Sequence, residues 1–170
     1  ACAGALLYAT ATVIGDYAVL TRGVGGEVAG PAASPGAPYG VNVQLQAEAT
    51  DADRRRLLAI ARQGGFGWVR QPFPWAQIEP ERGRYDWAAW DAIVTLAGEQ
   101  KLAVIAVLDT SPAWARSNPL LTSPPDNPAD YARFVGDFVA RYRGRLAAYQ
   151  IWDEPNIAPH WGSRPADPTD

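Results

Sequence analysis

Leu102-Ala103-Val104-Ile105-Ala106-Val107-Leu108 is an unbroken apolar run that stops at Asp109. It is short for a helix, is rich in branched side chains and shows no polar alternation, as expected of a parallel strand covered on both faces. Such a strand needs helices beside it, and the flanking sequence supplies them. Upstream, Phe66–Arg70 reads as a strand, followed by a loop ending at Tyr85 and by a helix with Asp86 as its cap and Trp87, Trp90, Ile93, Val94 and Ala97 at helical spacing. Further upstream, Gly40–Leu45 predicts a first strand, and a helix from about Thr50 places Leu57, Leu58 and Ala61 in the core before Gly64-Gly65 closes it. Downstream, Asn127-Pro128 opens a helix with the stripe Tyr131, Phe134, Val135, Phe138 and Tyr142, and Arg145–Trp152 supplies a fourth strand.

Strand and helix pairs in this order predict βαβ units with right-handed crossovers. The stretch Val43–Ala49 has no glycine-rich turn for a pyrophosphate, which weakens an open dinucleotide-binding sheet. Long loops rich in tryptophan and proline follow the second and third strands, and loops of that kind build the active face of a barrel. The expected fold class is therefore α/β, a partial TIM (β/α)8 barrel of about the first four strands and three helices, preceded by an irregular or β-rich segment. After Glu154 a loop runs to about Asp167 with no further helix. The fourth strand is then uncovered and both sheet edges are open, so the remainder of the same polypeptide or a partner subunit is expected to complete the sheet.

Residues 1–22 are apolar but broken by Asp16 and by threonines, short of a convincing membrane span; they read as a trimmed anchor or a β-rich piece. Residues 23–39 form a Gly/Pro/Ala-rich linker, and 40–170 form the barrel half. The one cysteine, Cys2, excludes an intrachain disulfide; it is either the remnant of a processed lipoprotein signal or a chance thiol. A formal charge of -3, with arginines interspersed among acids, argues against nucleic acid as a partner. The only histidine, His160, has no cysteine near it, so neither zinc nor another cofactor is expected.

The residues suited to chemistry gather at strand ends. Gln150-Ile151-Trp152-Asp153-Glu154-Pro155-Asn156 delivers two adjacent carboxylates just beyond a strand. Beside Trp152, the Glu154 carboxyl is placed for partial desolvation and proton donation near neutral pH; its alternative role is a loop cap or an arginine partner. Asp153 either binds a ligand hydroxyl or satisfies turn amides. Arg70, at the end of the second strand, needs a carboxylate partner, and Asp109 at the matching place on the third strand is a candidate. Trp75, Trp114, Trp152 and Trp161 lie in or beside the same loops and offer flat surfaces for sugar rings, or ordinary packing. Trp68, Trp87 and Trp90 belong to the core. His160 sits in the loop beside the cleft, while Glu79 and Glu81 read as loop architecture rather than as a second catalytic group.

Four pieces in order carry a family resemblance: Phe66-Gly67-Trp68-Val69-Arg70, Phe73-Pro74-Trp75-Ala76-Gln77-Ile78-Glu79-Pro80, Gly83-Arg84-Tyr85-Asp86-Trp87 and Ile151-Trp152-Asp153-Glu154-Pro155-Asn156. From Tyr39 to Trp161 the chain resembles the first half of a clan A glycoside hydrolase, in the manner of families 39 and 5. The resemblance implies an eight-stranded barrel in which Glu154 is the general acid/base. It also implies an asparagine immediately before that glutamate, where this chain has Asp153, which accepts but does not donate when ionised. The nucleophile implied by the resemblance is a glutamate after a seventh strand, outside this chain. Two functions follow as expectations: part of a retaining O-glycoside hydrolase acting on a glycan or glycoside, or a noncatalytic carbohydrate-binding or structural subunit, with a membrane tether as a further partner. Either is expected to be extracellular or associated with the cell surface.

Overall fold

The computed structural model describes residues 38–163. The N-terminal piece 1–22 and nearly all of the linker expected over 23–39 lie outside the described residues. Four strands, β1 (Gly40–Asn42), β2 (Trp68–Pro74), β3 (Ala103–Asp109) and β4 (Ala148–Ile151), form one all-parallel sheet in sequential order. The connections are α1 (Asp51–Gln63), a single turn α2 (Trp75–Ile78) followed by α3 (Ala88–Glu99), and α4 (Pro128–Tyr142). A short strand β5 (His160–Ser163) follows and pairs with none of the four among the described residues. Parallel neighbours in sequential order, each joined through helices, give the α/β half-barrel expected of the sequence.

Local chemistry explains most boundaries. Thr50 caps α1 by accepting from the Asp53 N–H, and Asn127 caps α4 by accepting from the Ala129 N–H, with Pro128 in the first turn. Asp86 reaches the Ala88 N–H at 3.4 Å, although the residue in the cap position of α3 is Trp87. The strand expected to end at Arg70 continues to Pro74. The Arg70 carbonyl accepts from Val43 N–H, so even-numbered residues of β2 turn their backbone polar groups toward β1. β1 stops at Asn42, and Pro72 and Pro74 fall beyond it on that side; their missing N–H groups cost no bond to β3.

The core fills the space between the sheet and its helices. Val69 and Phe73 of β2 and Val104, Ala106 and Leu108 of β3 pack against Leu58 and Ala61 of α1, Ile93, Val94 and Ala97 of α3, and Phe134, Phe138 and Tyr142 of α4. Phe73 meets Phe138 edge-on at 5.2 Å, and Trp75 stacks on Phe134 at 5.4 Å. Leu57, expected in the core of α1, is 37 % exposed, because the buried side of that helix is defined by Leu58 and Ala61. Alternation along the strands turns Arg70 and Ile105, which are register partners, toward the other face, together with Val107 and its partner Gln150. The polar members of this second face lead to the C-terminal strand ends.

Candidate functional site

Arg70 is the organising cation at those ends. Its Nε donates to Gln150 Oε1 at 2.8 Å and its Nη2 to Asp153 Oδ1 at 2.5 Å. Gln150 Nε2 donates in turn to the same Asp153 oxygen at 3.0 Å and to the Trp152 carbonyl at 2.9 Å. The partner of Arg70 is therefore Asp153, across β3, rather than Asp109 on the adjacent strand. Gln150 makes the difference: it bridges arginine and aspartate, a role not read from the sequence. Its signal there was a polar residue inside an otherwise apolar strand.

Asp109 takes another part. Its Oδ1 is buried and has no hydrogen-bond partner among the described residues. Burial, and then the charge of Asp153, push its carboxyl up to about 6, with Arg70 acting in the opposite direction. The strand end thus joins one carboxylate held by two donors and one whose buried oxygen has no donor among the described residues and which resists ionisation.

Glu154 stands beside them with its side chain 53 % exposed, so the desolvation expected from Trp152 is not realised among the described residues. The indole turns away instead: Trp152 is 4 % exposed, donates Nε1–H to the His160 carbonyl at 2.8 Å and meets Tyr131 edge-on at 5.4 Å. Both Trp152 (φ 62°) and Glu154 (φ 49°) have left-handed backbone, and so does Thr110 (φ 61°) just after β3. Non-glycine residues in this region cost about 1–2 kcal/mol each and concentrate where a strand end must aim a side chain. The Glu154 Oε2 lies 3.2 Å from His160 Nε2.

The four loop tryptophans do not share one exposed cleft. Trp75 is fully buried, with Nε1–H donating to Glu79 Oε2 at 2.7 Å. Trp114 donates to the Glu79 carbonyl at 3.0 Å, and the Arg82 and Arg133 guanidiniums lie 5.4 and 5.9 Å from its ring centre. Trp161 meets Trp152 edge-on and helps line a cavity of about 370 Å³ with Pro124, Pro125, Pro128, Tyr131 and Ile151; Glu154 and Arg70 are not in its lining. Indoles whose N–H groups find acceptors within their own loops fold inward, which is the packing alternative for Trp75 and Trp152. Glu79 is architecture as expected: buried, it accepts from Trp75, the Gly83 N–H and Arg133 Nη2, each at 2.7 Å. No group of three or more His, Cys, Asp or Glu side chains among the described residues is arranged to hold a metal ion.

Residues 46–119 match the family model of a glycoside hydrolase family 42 beta-galactosidase, a stretch under half of the chain. No curated protein sequence matches significantly. Among solved structures, a family 39 glycoside hydrolase from the gut symbiont Bacteroides cellulosilyticus WH2 superposes with a TM-score of 0.57 at 21 % identity, over 68 % of this chain and 24 % of its own. A family 39 enzyme from Xanthomonas axonopodis pv. citri gives 0.63 at 18 %, over 79 % of this chain and 30 % of its own. A beta-glycosidase gives 0.52 at 27 %, over 63 % and 27 %. The chain thus spans between about a quarter and a third of the length of these structures. In fold, and in the family model matched from just before α1 through β3 and into the loop after it, it resembles part of a clan A glycoside hydrolase barrel.

Proposed function

We propose that the chain is part of a retaining O-glycoside hydrolase, with Glu154 as its acid/base and the nucleophilic carboxylate supplied from outside the described residues. The observation that carries this reading is the arrangement at the ends of β2 and β4. An exposed carboxyl on left-handed backbone stands next to an aspartate clamped by Arg70 and Gln150. In the first step Glu154 gives its proton to the glycosidic oxygen as the bond from that oxygen to the anomeric carbon breaks, and the nucleophile bonds to that carbon. In the second, Glu154 takes a proton from water, whose oxygen displaces the nucleophile. Asp153, fixed by its two donors, accepts a hydrogen bond from a sugar hydroxyl. The acting surface is the C-terminal face of the strands, and an extracellular or cell-surface glycan is the substrate class that suits it.

The test is Glu154→Gln assayed on two aryl glycosides that differ in leaving group. Proton donation matters most when the leaving oxygen is basic, so turnover of the poorly activated substrate should fall by about 10²–10⁴, and that of a nitrophenyl glycoside much less in its first step. Equal turnover by variant and parent on both substrates would remove Glu154 from the chemistry. Glycan binding without hydrolysis by the unaltered protein would favour the noncatalytic carbohydrate-binding reading.

A further inference from the structure

We propose that His160 is a positioning residue for Glu154, an imidazole at ion-pair distance that fixes the carboxylate in one rotamer, so that the charge of each side chain bears on the other. The role presupposes the acid/base assignment of Glu154 made above and extends it to the group that controls its charge.

The geometry starts from a contrast between neighbours. Asp153 receives hydrogen bonds from two side chains, whereas the side chain within ion-pair distance of Glu154 is His160, at 3.2 Å. A half-exposed carboxylate with one such partner depends on that partner for its orientation. His160 is itself held from several directions. Its N–H donates to the Ile157 carbonyl at 2.9 Å, and the Ile157 N–H returns to the Glu154 carbonyl at 3.2 Å, so the turn folds the imidazole back onto the glutamate. Its carbonyl accepts from the buried Trp152 indole at 2.8 Å. On the next residue back, the Pro159 carbonyl accepts from Thr122 Oγ1 at 2.6 Å, which ties the turn to the loop after β3. Beyond it, Gly162 (φ 64°) presses against Ser123, where an added Cβ would lie 2.5 Å from the hydroxyl oxygen. Contacts from β4, from the turn and from the β3 loop therefore converge on one short segment, and its side chain points to the carboxylate.

When Glu154 has given up its proton, the imidazole 3.2 Å away stabilises the carboxylate left behind; when Glu154 takes a proton from water, that stabilisation is released. The ionisable groups around the imidazole are Glu154 on its own loop and Asp109 on β3, whose carboxyl senses the histidine charge, with Arg70 and Asp153 behind Asp109.

Because the sequence contains a single histidine, its imidazole Cε1–H gives one resonance that reports the pair without assignment. Followed against pH in the unaltered chain, that resonance should trace its own ionisation together with those of its two carboxylate neighbours, Glu154 and Asp109. Glu154→Gln should abolish the Glu154 step and leave that of Asp109, and Asp109→Asn should do the reverse. A curve from which Glu154→Gln removes no step, or from which Glu154→Gln and Asp109→Asn remove the same one, overturns the pair. The measurement needs no turnover. Loss of the coupling therefore counts against His160 alone, and a Glu154→Gln variant that still hydrolyses glycosides counts against the acid/base assignment alone.

Discussion

Two glutamates, each in the loop region after a strand, have opposite surroundings. Glu79, after β2, is fully buried with three donors around its carboxylate: an indole, a backbone amide and a guanidinium. Glu154, after β4, is 53 % exposed and meets one imidazole. A buried carboxylate whose lone pairs are occupied has nothing left to offer a substrate, and the energy of its contacts goes into holding the loop. An exposed carboxylate with free acceptor positions contributes little to folding and keeps its chemistry available. The contrast separates architecture from function at two residues of the same type.

The largest effect should come from Glu79. Glu79→Ala leaves the Trp75 and Gly83 N–H groups and Arg133 Nη2 without their acceptor, while Arg133 Nη1 keeps Tyr85 and Asp137. The expected loss is about 3 kcal/mol, toward the lower end for breaking a buried pair because Arg133 is 36 % exposed. Urea unfolding of parent and variant measures it, and a loss below about 1 kcal/mol would erase the distinction between the two glutamates.

Asp109 comes next, and here the effect depends on pH. Its folded carboxyl titrates at about 6, above the ordinary 3.8. Between those values the folded chain keeps a proton that the unfolded chain has released, so stability falls as pH rises through the window and stays reduced above it. Asp109→Asn removes the ionisation. The variant should be more stable than the parent by roughly 1–3 kcal/mol at pH 7 and no more stable near pH 4. An equal difference at both pH values would show that Asp109 is not the titrating group.

How far the sequence carried this picture differs from element to element. The helix starts at Thr50 and at Asn127-Pro128, the apolar run of β3 and the aromatic stripe of α4 were legible because each is a local pattern. The extension of β2 through two prolines was not, since their tolerance depends on where β1 stops. Arg70 was legible as a cation in need of a partner, but the choice of Asp153 over Asp109 rests on side-chain reach across β3 and on the bridging amide of Gln150. The loop tryptophans were ambiguous for a related reason. Whether an indole stands out or packs in depends on an acceptor for its N–H, and those acceptors, Glu79 for Trp75 and the His160 carbonyl for Trp152, are set by how the loops fold.

Asp153→Asn sharpens the comparison from the side of the ion pair. The amide keeps an oxygen for Arg70 and Gln150 but loses the charge, and both partners of the pair are partly exposed. The stability cost should be about 1 kcal/mol. Its more telling consequence lies at Asp109, where the Asp153 charge is the second cause of the raised carboxyl. With that charge removed and Arg70 less engaged, the pH window over which stability falls should move toward lower pH, readable from unfolding midpoints measured across pH 4–7.

The smallest effect should belong to Glu154 itself. Its side chain is half exposed, its one partner is 38 % exposed, and solvent screens an ion pair of that kind to well under 1 kcal/mol. Its left-handed backbone is no better suited to glutamate than to glutamine, so Glu154→Gln neither relieves nor adds strain. Unfolding free energies of parent and variant should agree within about 0.5 kcal/mol. A loss comparable to that of Glu79→Ala would show that the carboxylate supports the fold after all. Its exposure at the end of β4 would then no longer distinguish it as the group kept free for chemistry.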